Sequence, residues 1–97
     1  MGQKKRTQPE KLKIKLKTIR VKMEVSQQKM VELLSYYAPN EVIVPGYISD
    51  FEAGKREPSL IVLLAYSKLT GVSINVLVDD ELELPKGYKS IRNRATH

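Results

Sequence analysis

Leu12, Leu16, Ile19 and Met23 recur at i, i+4, i+7 and i+11, the spacing of one helix face. Lys11, Lys13, Lys15, Lys17 and Lys22 fall between them and are expected on the solvent side. The run from Lys11 to Lys17 also alternates with period two, a strand signal. Lys and Leu favour helix, and the longer pattern continues to Met23, so a helix is predicted. Ser26 suits an N-cap, and Met30, Val31, Leu33 and Leu34 supply the apolar face of a second helix. A short third helix is predicted from Tyr47 to Ala53. Its Ile48 and Phe51 lie three apart and share a face. Gly54 stops it and Pro58 blocks its continuation.

Ser59 opens a fourth helix, Leu60 to about Thr70, and Gly71 ends it. Its start, Leu-Ile-Val-Leu-Leu-Ala, is apolar nearly all round, which marks it as the central core helix. Such an aliphatic run also fits a buried strand, but the Ser start and Gly stop argue for helix. Ser73 caps a fifth, Ile74 to about Val78, and the segment from Asp79 to Pro85 closes the fold. Residues 1–9 and 86–97 lack periodicity. The expected architecture is therefore all-α: a compact five-helix domain over residues 10–85, with a flexible basic arm at 1–9 and a disordered basic tail at 86–97.

Ninety-seven residues make one domain, and 41% apolar residues permit a modest core. There is no cysteine, so disulfides and thiolate metal sites are excluded. The one histidine is His97, at the last position, which removes the usual general base and most metal chemistry. No glycine-rich phosphate loop is present, and the acids at 79–83 lack the spacing of a calcium loop. An enzyme is not expected, nor any cofactor. No apolar run of about twenty residues marks a membrane span, and no signal-peptide core follows the basic start. A cytoplasmic, nucleoid-associated location is expected.

The charge distribution says more than the net +6. Residues 1–22 carry nine Lys or Arg against one Glu, while residues 23–78 carry four against six acids. Asp79, Asp80, Glu81 and Glu83 are acidic, and Lys86, Lys89, Arg92 and Arg94 follow. Basic ends on a small domain suit a polyanion such as nucleic acid. Solubilising charge is the alternative.

The stretch from Gly46 to Pro58 brings these strands together. A short helix with two buried anchors, a polar outer face and two cations behind it suits insertion into a DNA groove. The same residues also describe any small surface helix ended by glycine. On the DNA view, Gly46 lets the backbone come close to the duplex. Tyr47 either bonds a phosphate through its hydroxyl or packs inward. Lys55 and Arg56 reach phosphates. Lys4, Lys5 and Arg6 lie along phosphates or in a minor groove, or form an inert tail.

Val25-Ser-Gln-Gln-Lys-Met30, the third-helix stretch Ile48-Ser-Asp-Phe-Glu-Ala-Gly-Lys-Arg-Glu-Pro58 and the Leu-rich segment ending Gly71-Val-Ser73 occur in that order. In this they resemble the Cro/cI-type (XRE-like) helix-turn-helix family, over roughly Leu12 to Leu84. The resemblance implies a lambda-repressor-like bundle. It implies that Gln27 contacts the DNA backbone and that Ser49 and Asp50 face bases. Serine donates or accepts there, and aspartate accepts from a cytosine amino group. The alternative for Asp50 is helix stabilisation or pairing with Lys55 or Arg56. The resemblance further implies a partly buried ion pair between Arg20 and Glu52, with Arg20 near phosphate.

The chain departs from this family between Leu34 and Pro45. Ten residues lie there, roughly seven more than a helix-turn-helix uses. Tyr36 and Tyr37 extend the second helix on this reading, Pro39-Asn40 turns the chain, and Val42, Ile43 and Val44 need cover. Pro45-Gly46 stands where polar residues often open a reading helix. The expected function is a sequence-specific regulator of transcription, a repressor type that binds double-stranded DNA as a homodimer with its third helix in the major groove. The alternative is an antitoxin-like or coactivator-like module that binds a protein partner on the same fold.

Overall fold

The computed structural model describes residues 9–86. Among them lie five helices and no strand: α1 Leu12–Met23, α2 Gln27–Tyr37, α3 Pro45–Ala53, α4 Leu60–Thr70 and α5 Ile74–Val78. The fold is all-α, as the periodicity predicts. The arm residues Lys4, Lys5 and Arg6 and nearly all of the basic tail lie outside the described residues.

Three of the five helices begin where a serine side chain satisfies an open N–H group. Ser26 accepts from the Lys29 N–H, Ser59 from Val62 and Ser73 from Val76. The start of α1 has no local cap; Asp80 reaches across from beyond α5 and accepts from the N–H groups of Glu10 and Lys11 at 2.9 and 3.0 Å. α3 also lacks a side-chain cap; its N-cap is Val44. It starts two residues before the predicted Tyr47 because Pro45 sits in the first turn, where its missing N–H costs nothing.

The core is one cluster. Leu16, Ile19 and Met23 of α1, Met30 and Leu34 of α2, Ile48 and Phe51 of α3, Tyr66 and Leu69 of α4 and Leu77 of α5 all enter it. α2 packs on α3 and α4, α1 on α3 and α5, and α4 on α5. α3 is thus held between α1 and α2 by Ile48 and Phe51, exposed only 0% and 4%.

Three expectations are corrected. Lys15 is not on the solvent side; it is buried, and its Nζ donates to the carbonyls of Val76, Asp79 and Leu82 at 2.6, 2.9 and 2.8 Å. It terminates α5 and fixes the turn that follows, so the 79–83 acids sit on a segment anchored to α1. Second, α4 is a core helix on one side only. Leu60, Ile61 and Leu64 are exposed, because no element covers that face among the described residues. Third, the segment between α2 and α3 is covered only at Ala38 and Ile43; Val42 and Val44 remain exposed. The turn at Pro39–Asn40 is present, with Glu41 N–H donating to the Ala38 carbonyl.

Candidate nucleic-acid interface

α3 is anchored by its inner face and leaves Ser49 exposed on its outer face. Its far end is closed by Gly54, whose φ of 79° lies in the left-handed region, and the Lys55 N–H donates back to the Asp50 carbonyl at 2.9 Å. A Cβ at position 54 would fall 2.8 Å from Cδ of Lys13, so the Lys13 stem lies directly over this turn. Gly46 is different. Its surroundings are open, and it shows no positive φ. Nothing within the described fold calls for glycine at that position, although glycine in a helix is less favourable than alanine by about 1 kcal/mol.

Behind α3, Arg20 and Glu52 are brought together. Arg20 Nε donates to Glu52 Oε2 at 2.7 Å, and Nη2 donates to Oε1 at 3.1 Å. This two-pronged geometry matches guanidinium to carboxylate. Nη1 donates to the Val25 carbonyl, and Gln27 Nε2 donates to Glu52 Oε1. The Glu52 side chain is 4% exposed and that of Arg20 16%. The hydrogen bond that Arg20 donates to Glu52 holds its guanidinium above its ordinary pKa, against the opposing effect of burial. Three of the five guanidinium N–H groups are therefore used, which leaves two for another oxygen. Gln27 completes this cluster and ties the start of α2 to α3. Tyr66 is buried beneath, and its hydroxyl has no hydrogen-bond partner among the described residues. Burial pushes its pKa up, and the Glu52 charge adds to this while Arg20 works the other way.

A second cluster covers the other side of α3. Arg56 Nε lies 3.9 Å from Asp50 Oδ2, and its guanidinium carbon stands 3.9 Å from the centre of the Tyr47 ring. These side chains are half exposed. Asp50 is thus engaged by Arg56, and Tyr47 packs under the same cation against the edge of the core. Lys55 is exposed at the same end of α3. The candidate base-facing residues then reduce to Gly46 and Ser49, with Asp50 available only if Arg56 releases it.

Residues 43–77 match the family model described as Helix-turn-helix. Over those residues the chain is similar to Cro/cI-type helix-turn-helix domains, a likeness that supports a DNA-binding regulatory role in general terms. The match spans α3, α4 and α5 and leaves out α1, α2 and most of the segment joining α2 to α3. Neither the curated proteins nor the solved structures yield a significant match. No described helix is long and apolar enough to cross a membrane, and no group of acids or histidines among the described residues is arranged to hold a metal ion.

Proposed function

We propose that the chain is a sequence-specific regulator of double-stranded DNA that places α3 in the major groove. The observation that supports this most is the fixing of α3 by Ile48, Phe51 and the Arg20–Glu52–Gln27 cluster while Ser49 and Gly46 stay exposed. A helix held rigidly on one face and open on the other is what groove insertion needs. Ser49 reads a base edge. Gly46 lets the backbone approach the duplex. Lys55, the remaining N–H groups of Arg20, Arg56 and the Tyr47 hydroxyl bind phosphates, with Lys4, Lys5 and Arg6 adding contacts outside the described residues. Selection of bound sequences from random duplexes tests this. Enrichment of a defined site, weakened at one base pair by Ser49→Ala, is the expected outcome; no enrichment contradicts it.

A second reading is favoured by the exposed apolar face of α4, formed by Leu60, Ile61 and Leu64. On this reading the chain is a protein-binding module, or pairs with its own copy through that face. Sedimentation of the purified chain with Leu60→Ser and Leu64→Ser separates the cases. A dimer that dissociates in the double variant supports self-association, whereas a wild-type monomer leaves the face for another protein.

A further inference from the structure

Lys13, Lys17 and Arg20 follow one another on α1 at i, i+4 and i+7, so they share one flank. That flank borders α3. The Lys13 stem crosses Gly54, and Lys17 lines an open hollow of about 260 Å³ together with Arg20, Gln27 and Ser49. The cationic row therefore runs beside the exposed face of α3. The next flank round the helix is apolar, with Ile14 and Val21 exposed by 59% and 54%. Lys11 and Lys22 lie towards that flank, whereas Lys13 and Lys17 lie on the side that borders α3. The charge of Arg20 is offset by Glu52, but Lys13 and Lys17 have no ion pair among the described residues. Base-facing groups on α3 are few, because Asp50 is engaged by Arg56 and Pro45 carries no polar side chain.

We infer that Lys13 and Lys17 form a strip on α1 that binds the sugar–phosphate backbone of the duplex flanking α3. Seven residues of helix advance about 10 Å, enough for the strip from Lys13 to Arg20 to meet neighbouring phosphates of one strand. This assignment rests on the DNA reading and deepens it: the ligand of α1 is the backbone, and the strip supplies affinity without sequence preference.

The test is the salt dependence of duplex binding. Lys13→Gln and Lys17→Gln are each expected to reduce the slope of log affinity against log salt by about 0.9, alike on a selected site and on random duplex. The preference between the two is expected to stay unchanged. Lys17→Arg, which keeps the charge, is expected to retain the slope, as is Lys68→Gln in the last turn of α4. Wild-type slopes in both α1 glutamine variants, with thermal melts showing them folded, would overturn the strip and leave α3 as the reading element. A change in sequence preference on Lys17→Gln would also overturn it, since that marks a base contact. A wild-type chain that binds no duplex at all would remove the DNA reading itself, and the strip with it.

Discussion

α3 is flanked by two ion pairs built from the same chemistry and placed in opposite environments. Arg20 and Glu52 meet at 2.7 Å with the carboxylate 4% exposed; Arg56 and Asp50 stand 3.9 Å apart with both side chains exposed by 40% or more. The members of the first pair are hydrogen-bonded to each other and to Val25 and Gln27, with two Arg20 N–H groups left over. It sets where α3 sits. The second is a loose surface contact, stacked on Tyr47, in a high-dielectric setting where such pairs contribute little. Burial therefore separates a scaffold pair from a pair free to exchange partners. Only the second is suited to open when a polyanion arrives.

Removing a carboxylate breaks this contrast most sharply. Glu52→Ala strands the Arg20 charge in a largely buried site and is expected to cost about 3–5 kcal/mol, read by urea or thermal unfolding. A loss under about 1 kcal/mol would place the pair in the same class as Asp50–Arg56. Tyr66→Phe sharpens the buried side. The orphaned hydroxyl carries a desolvation penalty, so the variant is expected to match or exceed the wild type by up to about 1 kcal/mol at neutral pH. The folded-state pKa of Tyr66 is raised above its ordinary value of 10.0, so the unfolded chain releases this proton first. The Tyr66 contribution is intact below about pH 10 and falls as pH rises beyond it. Wild-type stability is thus expected to drop more steeply than that of Tyr66→Phe above pH 10. Parallel curves would place the hydroxyl in water.

The exposed side gives smaller stability effects and larger binding effects. Gly46→Ala is expected to stabilise the fold by up to about 1 kcal/mol, since alanine is the better helix residue and the surrounding space is open. It is expected at the same time to weaken duplex binding, because the added methyl meets DNA. Unchanged affinity would show that the backbone stays away from the duplex. Asp50→Asn is expected to change stability by less than about 1 kcal/mol. Its affinity for random duplex should rise, as a carboxylate is removed and Arg56 is freed for phosphate. A fall confined to one base pair would instead assign Asp50 to a cytosine.

The starts and stops of the helices were legible because they rest on local chemistry. Ser26, Ser59 and Ser73 cap their own helices, and Gly54 and Gly71 both take the positive φ that ends one. Ile48 and Phe51 were legible as anchors from their spacing alone. What depends on a distant part of the chain was not legible. Lys15 looks like its lysine neighbours in sequence, and only the packing of α5 on α1 brings three carbonyls to it. Asp80 holds the residues that lead into α1 from about seventy residues away. An aliphatic run such as Leu60 to Ala65 has the same pattern whether one face or two are covered, so the exposed side of α4 could not be read from it. Within the site, Ser49 and the Arg20–Glu52 partners were singled out by resemblance, and Gly46 by its departure from it. The engagement of Asp50 by Arg56 was one of the alternatives the residues offered, but the place of Lys13 and Lys17 beside α3 emerges only once α1, α3 and the Gly54 turn are set against each other.

The most direct measurement is a titration of the isotope-labelled chain with duplex carrying its selected site, followed amide by amide by NMR. The account expects the largest shifts at Gly46, Tyr47, Ser49 and Gln27, with the α4 amides of Leu60, Ile61 and Leu64 little changed. Shifts centred on those α4 amides, with α3 unmoved, would contradict it.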